Sequence, residues 1–160
     1  MSILITSPLG PRAPAWLVIA LLIVASFEGL YTHAYHDTLA NGLPTICYGV
    51  TKYDRPVSMD DVYTPQQCKD MLAQDLPKYN AILDKCIKVP ISNHTRAAAV
   101  SLAYNVGAET VCKSSFVRHL NAKDPSACDY ILLYNQAGDK VIRGLERRRE
   151  AERKLCYEKD

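Results

Sequence analysis

The sequence predicts an α+β domain, mostly helical, with a small β-hairpin or three-stranded lobe and a hydrophobic N-terminal helix ahead of it. Three observations carry this expectation. An apolar run fills the N-terminus, a tyrosine- and threonine-rich stretch alternates around a glycine turn at residues 27–51, and helix-capping residues punctuate the chain from Thr64 onward. A chain of 160 residues is one domain, or one domain with an appendage, and can bury a sizeable core. Its 48% hydrophobic and 22% charged content excludes a disordered tail or a fibre. The net charge of +2 is too small for a nucleic-acid binder, so no such partner is expected.

From Trp16 to Phe27 only Ser26 is not apolar, and Arg12 is the one charged side chain before Glu28. A membrane span needs about 20 apolar residues, and a cleavable signal needs a shorter apolar core of about 7–15 behind a basic start. An ordinary surface helix shows polar positions on one side, which this run lacks. Export signal or tether, and buried core helix, are therefore the competing readings. The chain divides into residues 1–27, a signal or anchor segment, and residues 28–160, the folded domain.

Glu28 closes the apolar run, Gly29 is a natural helix terminator, and Asp37 follows nine residues after Glu28. The alternation through Thr45-Ile46-Cys47-Tyr48-Gly49 predicts the hairpin. A carboxyl at the end of an apolar helix is partly desolvated, which favours its protonated form, whereas a carboxylate on a wet hairpin stays ionised. That asymmetry is what glycoside hydrolysis uses, one group to protonate the leaving oxygen and one anion to direct water. The bland alternative is a helix end and an Asx-turn.

Thr64-Pro65 opens the next helix, in which Pro77 is expected to give a break or a kink before a second run to about Lys85. Ser92 or Asn93 caps an alanine-rich helix ending at Gly107, and Asn105 near its end can face a cleft. Ser115 starts a short helix to Leu120, Asp124-Pro125 caps another to about Asn135, and the last runs from about Gly144 to Tyr157. The charges of that last helix read as a solvated face, with pairs such as Glu150 and Lys154.

Six cysteines, Cys47, Cys68, Cys86, Cys112, Cys128 and Cys156, all follow the apolar run. With no C-x-x-C pair they read as three disulfides in an oxidising compartment, and six cysteines allow about 15 pairings. His33 and His36 lack a third ligand nearby, so neither a metal nor a cofactor is expected.

The pieces Glu28-Gly29, Ala34-Tyr35-His36-Asp37, Thr45 to Thr51, Ala103 to Gly107, Ser114-Ser115 through Asn121, and Gly144-Leu145 with Arg147-Arg148 and Glu152-Arg153 stand in one order along the chain. They resemble the phage-type lysozymes of glycoside hydrolase family 24, and the cysteine-bearing strand with the apolar N-terminus looks like its signal-arrest-release endolysin subgroup. The resemblance implies a lysozyme-like domain that hydrolyses the β-1,4 bond between N-acetylmuramic acid and N-acetylglucosamine in peptidoglycan. It implies Glu28 as general acid, Asp37 as second carboxylate, and Thr45 as the group that positions the attacking water. Arg147 or Arg148 is expected to pair with Glu28, and Tyr35 and Asn105 to line the site. Two departures from the family pattern are a Asp37-to-Thr45 interval two residues longer than the commonest one, and Val50 where many relatives carry His.

The predicted topology prefers the pairs Cys47–Cys68, Cys86–Cys112 and Cys128–Cys156. A monomer is expected, tethered at the host inner membrane by its N-terminal segment and then released to the periplasm, with peptidoglycan glycan strands as partner. The alternatives are a membrane-tethered, non-catalytic lysozyme-like binding protein, and a transglycosylase that uses no water.

Overall fold

The computed structural model describes residues 12–160. The apolar run folds as α1, Ala15–Glu28, and buries Leu17, Ala20 and Val24, a spacing that puts all three on one face. Its other side stays apolar as well, with Val18 and Leu22 exposed. Gly29 ends the helix at φ +68°, a left-handed conformation that costs glycine little. Strand β1, Tyr31–Asp37, then pairs antiparallel with β2, Leu43–Cys47, placing Tyr35 opposite Thr45 and Asp37 opposite Leu43. A single bridge from His33 to Val62 adds a third pairing beside this hairpin, so among the described residues the lobe has two strands and not three. The turn between the strands is a 3-10 turn, Thr38–Ala40, and it absorbs the long Asp37-to-Thr45 interval without shifting Thr45 off the ladder.

Helix α2, Pro65–Cys86, starts from a complete capping box between Thr64 and Gln67. It runs unbroken through Pro77, so of the break or kink expected there the break is absent. Pro77 sits on the exposed face of the helix, away from its buried residues. Leu72, Leu76 and Leu83 on the other face are buried and hold the helix across it.

Helix α3, Asn93–Val106, is the centre of the molecule, with every residue from Ala97 to Ala103 buried. Small side chains at these positions let α1 and α6 approach it closely. Two short helices follow, α4, Ala108–Cys112, and α5, Ser115–Asn121, the latter capped by Ser114. The α-helix expected after Asp124-Pro125 is instead a 3-10 helix, Ala127–Leu133. Asp124 still opens it, accepting from the Ser126 backbone at 2.9 Å. A minimal hairpin of β3, Gln136–Ala137, and β4, Lys140–Val141, leads into α6, Arg143–Tyr157. Helix α4 and this second hairpin are too short for sequence periodicity to announce.

Three disulfides join Cys47 to Cys68, Cys86 to Cys112, and Cys128 to Cys156. The first ties β2 to α2, the second α2 to α4, and the third the 3-10 helix to α6. Replacing Cys128 and Cys156 together by Ser opens a loop of 28 residues and should remove about 3 kcal/mol. Thermal denaturation should then show a melting temperature lower by roughly 10 °C.

Candidate active site

Glu28 is the last residue of α1, with 19% of its side chain exposed. The helix delivers the carboxylate to the seam where α1, α6 and the hairpin lobe meet. Arg148 of α6 donates from Nη1 to Glu28 Oε1 at 2.5 Å, and its own side chain is nearly buried. Arg147, the other arginine expected to reach Glu28, is exposed, because one step along a helix turns a side chain about 100° away.

Arg148 is itself held. Its Nε donates to Glu152 Oε1 at 3.1 Å and its Nη2 to the Ser101 carbonyl at 3.2 Å, while Ser101 Oγ donates to the same Glu152 oxygen at 2.7 Å. Arg149 Nη2 also donates to Glu152 Oε1, at 3.0 Å. Its Nε lies 2.8 Å from Oε2 but too bent for a hydrogen bond, so that contact is purely ionic. Arg149 Nη1 reaches Asn105 Oδ1 at 2.9 Å and the Tyr134 carbonyl at 3.2 Å. Glu152 and Arg149 are fully buried, which corrects the reading of this helix as a solvated charged face. Burial pushes the Arg149 guanidinium below its ordinary range, and the adjacent Glu152 carboxylate opposes that push.

The second oxygen of Glu28 meets backbone. Ile46 and Val50 exchange both of their backbone hydrogen bonds, at 3.0 and 2.8 Å, closing a tight turn over Cys47, Tyr48 and Gly49. Gly49 stands at φ +76°, and a Cβ built there would lie 2.7 Å from Glu28 Oε2. Only glycine fits, on both counts. The Tyr48 carbonyl accepts a hydrogen bond from the Tyr104 hydroxyl at 2.6 Å. Val50 is fully buried in the core.

Asp37 ends β1, and its Oδ1 accepts from the Leu39 backbone at 2.9 Å, so the Asx-turn is present. The second carboxylate oxygen is outside that bond. Thr45 is buried on β2, and its hydroxyl donates to the Leu43 carbonyl at 2.9 Å, leaving the oxygen's lone pairs as acceptors. Tyr35 lies across the ladder from Thr45 with its ring 4.3 Å from that of Tyr31. Its phenol is pushed up by burial first, then by the negative charges of Asp37 and Glu28, so one ring lies within electrostatic range of both carboxylates. Asn105 is exposed at the end of α3 with its oxygen taken by Arg149. His36 faces the hairpin turn, its Nδ1 2.7 Å from the Gly42 carbonyl.

The profile of the family described as phage lysozyme matches residues 25–152. The chain belongs to the phage lysozyme family. A SAR-endolysin of Pseudomonas phage phiKMV is 35% identical over 152 residues, covering 92% of each chain. The structure of an endolysin from Escherichia coli O157:H7 phage FAHEc1 superposes with a TM-score of 0.78 at 32% identity, over 88% of this chain and 91% of that one. A P22 lysozyme variant superposes with a TM-score of 0.75 at 28% identity, over 87% and 95%.

The matched stretch of this phage lysozyme encloses the whole arrangement from Glu28 to Glu152. Sequence reasoning missed Gly49, Ser101, Tyr104, Arg149 and Glu152 as members of the site. A usable signal existed for two of them. Arg148, Arg149, Glu152 and Cys156 recur at three- and four-residue spacing, an inward stripe that happens to be charged.

Proposed function

We propose that this phage lysozyme is a muramidase endolysin in which Glu28 protonates the leaving oxygen of the β-1,4 bond between N-acetylmuramic acid and N-acetylglucosamine. The observation that carries the reading is the seating of Glu28, clamped by Arg148 on one oxygen and walled by Gly49 on the other, beside the hairpin that bears Asp37 and Thr45. As the bond from the sugar C1 to its oxygen breaks, the proton of Glu28 passes to that oxygen. A water attacks C1 from the opposite face, accepted into place by the Thr45 oxygen, and gives its proton to Asp37. Tyr35 and Asn105 line the sugar-binding cleft.

In this reading residues 1–27 serve as signal and tether, holding the enzyme at the host inner membrane before its release to the periplasm. The apolar outward positions Val18 and Leu22 support a second environment for α1, since a helix serving only the core would carry polar residues there. The names of SAR-endolysin relatives support it too. No helix among the described residues is long and apolar enough to cross a membrane. Burial of Leu17, Ala20 and Val24 favours retention of the segment, because its removal would strip three residues from the core.

Digestion of purified peptidoglycan sacculi, read by mass spectrometry, tests the function. Hydrolysis yields muropeptides with a reducing N-acetylmuramic acid end, each one water heavier than the anhydro form. Anhydro products would make the enzyme a transglycosylase, and sacculi bound but uncut would make it a binding protein.

A further inference from the structure

The two oxygens of Glu28 have different neighbours, and this divides their work. Oε1 is engaged by Arg148, so the oxygen left to carry a proton to substrate is Oε2. The wall behind Oε2 is the Gly49 turn, so where that oxygen points depends on where the turn sits.

Two aromatic hydroxyls fix the turn. Tyr104, on α3, donates to the Tyr48 carbonyl at 2.6 Å. Its ring packs edge-on against Tyr79 of α2, with centroids 5.2 Å apart. Tyr79 in turn donates to Asp54 Oδ1 at 2.6 Å, and Asp54 Oδ2 accepts from the Thr51 backbone at 3.1 Å. The segment from Tyr48 to Asp54 is thus pinned near both ends by phenols from the helical lobe. Burial foremost, and then the negative charges of Asp54 and Glu28, push the Tyr104 phenol far up, so it remains a donor throughout any working pH.

Resting on the muramidase reading, we infer that Tyr104 is a positioning residue for the proton-donating oxygen of Glu28, acting through the Tyr48 carbonyl and the Gly49 backbone. It touches neither substrate nor the reacting atoms. Its hydroxyl sets the depth of the glycine turn against the carboxylate, and hence the line along which the proton leaves.

The test compares the full-length chain with Tyr104→Phe, Gly49→Ala and Glu28→Gln in initial-rate kinetics on solubilised peptidoglycan, with melting temperatures measured alongside. Tyr104→Phe keeps the ring and deletes one hydroxyl. It should lower kcat by about threefold to tenfold, the worth of one hydrogen bond, with KM within about twofold of wild type. Gly49→Ala pushes on Oε2 directly and should lower kcat by about a hundredfold at similar KM, as a displacement of about an ångström at a reacting group does. A merely structural tyrosine would lower the melting temperature and leave kcat intact well below it, and that result overturns the inference. So does wild-type kcat in Gly49→Ala, which decides the matter even where Tyr104→Phe folds poorly. Failure of the underlying reading looks different, since wild type would then be inactive or Glu28→Gln fully active.

Discussion

Glu28→Gln is expected to lower turnover on peptidoglycan by about a thousandfold, the middle of the range a positioned general acid supplies. The substitution is close to isosteric. The carboxamide oxygen can still accept from Arg148, and the amide nitrogen can occupy the place of Oε2 against Gly49. Arg148 also keeps its bonds to Glu152 and to the Ser101 carbonyl, so no buried cation is stranded. What disappears is the transferable proton. Dye release from labelled sacculi gives the rate, and pull-down with the same sacculi gives binding. Lost rate with retained binding and an unchanged melting temperature is the expected pattern. A loss smaller than about tenfold would remove Glu28 from the role of acid, because general acid catalysis contributes about a hundredfold at the least.

The largest effect on stability is expected from Glu152→Leu. One buried carboxylate serves two buried guanidiniums here, with side-chain exposures of 5% for Arg148 and none for Arg149 or Glu152. Removing the carboxylate leaves the buried Arg149 without an acidic partner and Arg148 with Glu28 alone, about 3–5 kcal/mol by the behaviour of broken buried ion pairs. For a domain of this size the melting temperature should fall by roughly 10 °C or more. Activity should fall as well, even at temperatures where the variant is folded, because Arg148 loses one of the bonds that aim it at Glu28. Equilibrium urea denaturation measures the first effect and sacculus hydrolysis at low temperature the second. A destabilisation below about 1 kcal/mol would mean that water already solvates this cluster, as it does at exposed pairs.

The longer helices and the first hairpin were legible in the sequence because their signals are local. Thr64, Ser92 and the glycines after α1 and α3 mark boundaries through backbone chemistry that acts within a few residues. Pro77 misled because a local rule met a stronger non-local term, the packing of Leu72, Leu76 and Leu83 on the face away from it. The 3-10 helix at Ala127–Leu133 departed from expectation in the same region where a disulfide to α6 constrains the chain.

Glu28 and Asp37 drew notice as a carboxylate pair, and family resemblance singled them out together with Thr45; the structure sets Glu28 beside the lobe that carries the other two. The surroundings of Glu28 stayed hidden for a different reason. Hydrophobic periodicity detects buried apolar residues, and the inward stripe of α6 is made of Arg148, Arg149 and Glu152. Gly49 and Tyr104 approach Glu28 and Tyr48 across long stretches of chain, a closeness that only the tertiary fold creates.

The most direct measurement is a crystal structure of Glu28→Gln with a peptidoglycan-derived tetrasaccharide. The account predicts the scissile glycosidic oxygen within about 3 Å of the side chain at position 28, on the Gly49 side, with Asp37 and Thr45 on the opposite face of the sugar. A glycan seated away from the Glu28 side chain, or one with Asp37 and Glu28 on the same face of the ring, would contradict it.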